Sequence, residues 1–454
     1  MKYELMQHQV EFGKLWGEKE RILNLSGCGT GKTLSVIDAV KTVWPDARVL
    51  VLAPLSILRS AWGGDLNKFW PESQWGIAYA KNRKKVFEDR DNQWVITNHD
   101  AIKAVAKEGW QFDFDILVVD EADAFRNRTA QRTKSFLLVS RAFDIVTLMT
   151  GTPTPRSVTD IWALAYAIDF GERLGKNFFA FRNQVCNAEP IPGVPNAMKW
   201  VDKPTAQGQV TAMLADITQR VTLDDVVELP STIVREIPVE LPAKLRRQYE
   251  EMKRESMMML ESGLIVDAIH AGARRQKLLQ MLSGAVYSDL EGTFQDLHPD
   301  RHKLVADLVE EADHSLVGFN WQHQREGLAK EFSRRGITFG VIDGRTPVRE
   351  REILVSKFQD GQLQTLLCHP QSAGHGLTMT RAQRVIWASP NDRADLYEQF
   401  NHRMRRKGQD RKTEIIHIAA EESMEEAVYD NMLGKKHRQD ELLTLFSQLT
   451  KAAA

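Results

Sequence analysis

The chain has 454 residues, more than a single hydrophobic core usually organises, so two domains are expected. Hydrophobic residues make up 43% and charged residues 27%, which argues against intrinsic disorder, and no apolar run approaches the roughly 18 to 20 residues of a membrane span. The net charge of -1 argues against a simple basic DNA-binding module, and three scattered cysteines, Cys28, Cys186 and Cys368, are too few for a disulfide framework or a zinc site. The start, Met1 to Glu4, lacks the apolar stretch of a signal peptide, so a cytoplasmic protein is expected.

In chain order, strands are expected at Arg21–Leu25, Arg48–Leu52, Gln93–Thr97, Ile116–Val119 and Ile145–Met149, with helical stretches between them. Near-continuous apolar strands that alternate with helices predict a parallel sheet covered on both faces. From Thr159 to Asp225 the pattern turns helical, broken by Pro190, Pro192, Pro195 and Pro204. A proline-punctuated stretch, Leu229–Pro242, contains one strand-like run and marks the expected junction. An amphipathic helical region runs from Ala243 to about Leu282, where Met257–Met259 reads as core packing. Strands resume at Ser315–Phe319, Phe339–Ile342, Thr365–Cys368, Arg384–Ala388 and Thr413–Ile418. The expected fold class is α/β, with two parallel-sheet lobes at 1–233 and 234–454 and helical excursions near 159–225 and 243–300.

Between the first expected strand and the helix after it lies Ser26-Gly27-Cys28-Gly29-Thr30-Gly31-Lys32-Thr33. Glycines here let backbone N–H groups turn toward phosphate oxygens, and the helix N-terminus adds partial positive charge. Gly29, Thr30 and Gly31 would form the cradle, Lys32 would reach the β- and γ-phosphates, and the Thr33 hydroxyl would ligate Mg²⁺. The strict pattern begins with glycine, and this chain has Ser26 there. Val118-Val119-Asp120-Glu121-Ala122-Asp123 sets two acids directly after an apolar strand, at the carboxyl edge where α/β sheets bind ligands. Asp120 would hold Mg²⁺ and Glu121 would orient or deprotonate the attacking water. Together the two segments imply an NTPase that uses Mg²⁺.

With further motifs the chain resembles superfamily 2 helicases, and among them Swi/Snf-like DNA translocases of compact bacterial or phage type. These motifs are Leu5–Gln9, Ala53–Ser56, Thr97–His99, Leu148–Pro153, Leu316–Gln322, Ile342–Thr346, Ser372–Thr378 and Gln399–Gln409. The resemblance implies two RecA-like lobes flanking an ATP cleft. It implies that Gln9 reads adenine, that Gly374 and Gly376 serve the nucleotide, and that Arg403 and Arg406 reach the γ-phosphate. It further implies that Pro54, Asn98, His99 and Thr378 contact the nucleic acid and that Thr150, Gly151 and Thr152 couple it to hydrolysis, while Trp321, Arg345 and Arg349 are groove-lining candidates. Asp120–Asp123 spells DEAD, but Thr150-Gly151-Thr152-Pro153 and Arg406-Lys407-Gly408-Gln409 differ from the RNA helicases of that name.

The implied activity is an ATP-driven motor on duplex or branched DNA that remodels joints or forks, or displaces bound protein, in repair or recombination. Contacts would fall mostly on the backbone. A monomer without membrane association is expected, and no protein partner is indicated. Strand separation on DNA or RNA, and a nucleotide-gated DNA scaffold with weak hydrolysis, are the alternatives.

Overall fold

The computed structural model describes residues 3–154, 157–190, 198–261, 268–287, 294–373 and 377–434. They form two compact units, one reaching to Ala188 and resuming over Trp200–Glu228, the other comprising Glu189–Lys199 and the chain onward from Leu229.

In the first unit the strands are β1 (Arg21–Asn24), β2 (Val49–Ala53), β3 (Trp75–Ala78), β4 (Trp94–Asn98), β5 (Ile116–Asp120) and β6 (Ile145–Met149). A separate two-stranded sheet pairs β7 (Cys186–Pro190) with β8 (Met198–Asp202), and β9 (Thr218–Gln219) follows. The main sheet has seven strands in the order β3-β4-β2-β5-β6-β1-β9, all parallel. Because side chains alternate faces, Leu50, Leu52, Leu117 and Val119 enter one core while Val49, Val51, Ile116 and Val118 enter the other. Both faces are dry, which is why these strands read as continuous apolar runs.

Two strands of this sheet were not apparent in the sequence. β3 is an edge strand with only Ile77 and Ala78 buried, and β9 is two residues long, so neither carries an apolar run. The helical excursion contains Trp162–Asp169, Phe178–Val185 and Ala206–Leu214, and also the β7–β8 pair, which its prolines did not disclose.

The second unit opens with β10 (Thr232–Val239), then the helices Ala243–Glu261 and Ala268–Leu282. The side chains of Met257–Met259 lie outside the described residues. β11 (Ala285–Tyr287) and β12 (Phe294–Asp296) pair antiparallel. β13 (Ser315–Gly318), β14 (Phe339–Ile342), β15 (Thr365–Cys368), β16 (Arg384–Trp387) and β17 (Thr413–Ala420) then complete a six-stranded parallel sheet in the order β10-β17-β16-β13-β15-β14. Among the described residues no helix is long and apolar enough to cross a membrane.

Behind this sheet lies a polar knot. Arg301 and Glu425 are fully buried and form a two-pronged ion pair, at 2.9 and 2.6 Å, and Glu425 also accepts from Ala420 N–H. Nearby, burial pushes His302 down to about 4, aided by the Arg301 charge, and pushes His323 down to about 3, aided by His302. Unfolded histidines take protons from about pH 6.5 downward, whereas these folded ones do not until far lower. Their contribution to stability is therefore complete above about pH 6.5 and is lost as pH falls toward 4. Thermal unfolding at pH 7 and pH 5 should show a clear fall in the Tm of this unit, shallower in His323→Asn. An equal pH dependence in that variant would contradict the assignment.

Candidate active site

The phosphate loop joins β1 to the helix α2 (Lys32–Val43). Gly29 and Gly31 have φ of 82° and 79°, a region that side chains disfavour. A Cβ on Gly31 would also lie 2.5 Å from Gln9 Nε2, so a side chain there would displace the Gln9 amide. The Lys32 ammonium donates to the carbonyls of Ser26 and Gly27 at 2.7 and 3.0 Å, so it lies folded over the loop that it would serve. Thr30 Oγ1 closes the turn by donating to Gly27 O, at 2.9 Å. Thr33 stands on the first turn of α2, where a hydroxyl can reach a cation carried by phosphates.

The loop is braced from two sides. The helix α1 (Gln7–Lys19) presses His8 and Gln9 against it: His8 Nε2 bonds Thr30 O at 2.8 Å, and Gln9 donates to Gly31 O at 3.3 Å while accepting from Met6 N–H. Gln9 is 2% exposed, so both ends of its amide are engaged with protein. On the other side, the segment after β9 runs along the loop. Gly27 N–H donates to Val221 O, Arg220 donates to Leu25 O at 2.6 Å, and Val221 N–H donates to Ser26 Oγ at 3.3 Å. The last contact gives Ser26 a task that the usual glycine could not perform. Sequence reasoning did not join Arg220 and Val221 to the phosphate loop, because nothing local connects them to a loop some two hundred residues earlier.

Asp120 ends β5 and is 8% exposed. One carboxylate oxygen accepts from the Glu121 N–H and the other from the Trp62 indole N–H, each at 3.0 Å. Burial pushes this carboxyl up to about 6, with the Glu121 charge adding and the Lys32 ammonium opposing. Asp65 is likewise pushed up to about 6 by burial, opposed by Lys68, with the Asp120 charge adding to the rise. Negative charge is thus concentrated in little water, a setting that a divalent cation relieves. Thr33 and Asp120 supply hard oxygen donors, and a nucleotide-borne Mg²⁺ usually takes only one or two protein carboxylates, so the residues fit that ion. No cluster of three or more metal-binding side chains occurs among the described residues.

Glu121 adopts φ 49°, ψ 54°, a left-handed conformation that costs a residue with a Cβ of order 1–3 kcal/mol. Such strain persists where the surroundings enforce it. Here the following 3₁₀ turn Ala122–Phe125 and the bond from its own N–H to Asp120 hold the backbone.

The remaining first-unit candidates fall on the same sheet edge. Pro54 follows β2, and Asn98 and His99 lie at the end of the adjacent strand β4. The His99 ring is 8% exposed and bonds the carbonyl of Asp120 at 2.7 Å, so this side chain supports the carboxylate turn. Thr150 N–H donates to Asn24 O, and Thr152 N–H donates to Thr150 Oγ1. A Cβ on Gly151 would stand 3.7 Å from Cys28, so this segment lies against the phosphate loop. The Thr152 hydroxyl is buried and has no hydrogen-bond partner among the described residues. Cys28 is partly exposed whereas Cys186 and Cys368 are buried. Maleimide should therefore label Cys28 first, block ATP binding, and be slowed by ATP. Labelling of Cys28 that leaves ATP affinity unchanged would contradict the loop assignment.

In the second unit, Arg403 is 2% exposed and donates to the carbonyls of Gln399 and Leu377, at 3.0 and 3.2 Å. Arg406 is half-buried and reaches Thr378 Oγ1 at 3.1 Å. Gln409 clamps the same turn by donating to the carbonyls of Thr380, Ala382 and Met404. Gly374 and Gly376 lie outside the described residues. Arg345 is largely exposed beside Asp343, and Trp321 lines a cavity of about 270 Å³ with Arg275, Asn320, Asn391 and Asp392.

The chain matches the family described as SNF2-related domain over residues 25–284, and the helicase conserved C-terminal domain over residues 300–409. It is 27% identical over 441 residues to putative protein p41 of Acyrthosiphon pisum secondary endosymbiont phage 1, covering 92% of this chain and 93% of that protein. It is 23% identical to the uncharacterized ATP-dependent helicase MG018 of Mycoplasma genitalium, covering 88% of this chain. Against the DNA annealing helicase and endonuclease ZRANB3 of Homo sapiens the identity is 25%, over 90% of this chain. The chain spans 38% and 37% of the lengths of these last two proteins.

Proposed function

The chain belongs to the SNF2-related family of superfamily 2 helicases and is a DNA-dependent ATPase, and on that premise we propose that it moves along double-stranded or branched DNA. In doing so it would remodel joints or forks, or displace bound protein. The observation that carries the chemistry is the turn at the end of β5: a buried carboxylate fixed by two N–H donors, within electrostatic reach of Lys32 and followed by a glutamate in a strained conformation. Lys32 leaves its loop carbonyls for phosphate oxygens and Glu121 aligns and deprotonates the attacking water, while the family resemblance implies that Arg406 serves the transferring phosphoryl group. A Mg²⁺ held by Thr33 and Asp120 would neutralise phosphate charge there. Gln9 braces the loop and would read adenine by exchanging its bond to Gly31 O for one to the base.

The family relation and the DNA-acting relative ZRANB3 support DNA as the partner. The full-length match to a phage protein supports a place in the cytoplasm of a bacterium or its infected host. Steady-state ATPase activity, measured without nucleic acid and then with single-stranded, duplex and branched DNA and with RNA, tests the proposal. Stimulation by duplex or branched DNA is expected, and stimulation by RNA or single strands alone would overturn it.

A further inference from the structure

We propose that Trp62 is a positioning residue that links nucleic-acid contact to the carboxylate of Asp120, an inference that rests on the DNA-stimulated ATPase reading above. After Pro54 the backbone runs without interruption through a 3₁₀ turn (Leu55–Ile57), a π turn (Leu58–Gly63) and an α turn (Gly64–Phe69). π turns are rare and tend to occur at functional positions, and shifting a bond between π and α register re-aims every side chain beyond it.

This short segment has two opposed sides. Leu55, Arg59 and Ser60 are exposed, beside Pro54 at the sheet edge where strand contacts are expected. Trp62 is 0% exposed, lies tilted against Trp94 with ring centroids 6.3 Å apart, and donates its indole N–H to Asp120. Gly63 is wedged so closely that a Cβ would stand 2.6 Å from the Trp75 ring. This close fit just beyond Trp62 leaves the backbone there little room to absorb a movement imposed at Pro54–Ser60.

Of the two N–H groups on the Asp120 carboxylate, that of Glu121 is its immediate neighbour in the chain, and that of Trp62 comes from 58 residues away. Trp62 is thus the donor through which a remote event can turn the carboxylate. A DNA backbone gripped by the outward side would settle the register of the π turn, set the indole, and fix the carboxylate orientation that hydrolysis needs.

The test uses the whole chain and two readouts. Trp62→Phe keeps a buried ring and removes the N–H. It should bind duplex with unchanged affinity yet lose about tenfold in the ratio of DNA-stimulated to DNA-free turnover, the effect of one lost hydrogen bond to a charged group. In the wild type the Trp62 indole ¹H–¹⁵N signal, identified by its disappearance in Trp62→Phe, should shift when duplex is added without nucleotide. An indole signal unmoved by bound duplex, or an equal fall in both turnovers with their ratio preserved, would overturn the link while leaving the ATPase reading intact. A wild type that DNA does not stimulate would overturn both. The indole readout is taken on wild-type protein, so poor folding of the variant does not decide the outcome.

Discussion

Glu121→Gln is expected to lower ATP turnover by about 10² to 10⁴-fold while leaving ATP binding nearly unchanged, because the amide keeps the size of the side chain and loses its basicity. The backbone supports this separation. Glu121 holds its left-handed conformation through contacts of the main chain and of the turn after it, none of which involves the carboxylate. The phosphate loop is braced independently by His8, Gln9, Arg220 and Val221. Single-turnover kinetics together with a direct ATP titration would separate the two quantities. Retained turnover would remove Glu121 from the chemistry, and lost binding would make it part of the cradle.

Arg406→Ala and Arg403→Ala should fail in different ways. Loss of an arginine that stabilises a phosphoryl-transfer transition state costs about 10³ to 10⁵ in rate. Arg406 is half-buried, with Nε donating to His402 O and the end of its guanidinium on the exposed Thr378, so that end can change partners, and its removal should appear in kcat with a smaller change in Tm than in Arg403→Ala. Arg403 is enclosed and satisfies the carbonyls of Gln399 and Leu377. Its removal leaves buried acceptors unpaired, at about 1–3 kcal/mol each, and should appear first as a lower Tm. Unfolding and turnover measured side by side on both variants check this division. A large kcat loss with unchanged Tm in Arg403→Ala would show that both arginines serve the phosphate directly.

Much of the nucleotide site was legible because its parts are contiguous. Gly-rich turn, lysine and hydroxyl occupy eight consecutive residues between a strand and a helix, and Asp120-Glu121 stands at the carboxyl end of another strand, so local context points to both segments as candidates. The central strands were legible for the same reason that they are buried on both faces. Supports assembled from distant segments were not. Trp62 reaches Asp120 from an irregular turn that has no periodic pattern, and β9 with Arg220 adds only two paired residues to the sheet. His99 and Gln409 belong to recognisable motifs, yet their side chains turn inward to brace a carbonyl and a loop. A motif marks where a segment lies; the direction of each side chain depends on packing that the spacing does not encode.

Displacement of a third strand from a duplex isolates translocation, because it registers movement along DNA without requiring the duplex to open. With ATP the protein should release the third strand in a time that grows with the length of duplex ahead of it, and leave the duplex paired. Lys32→Ala and Glu121→Gln should not release it. A third strand left in place on the intact duplex, together with ATP-driven separation of the strands of a forked duplex, would contradict translocation on double-stranded DNA and identify the protein as a strand-separating helicase.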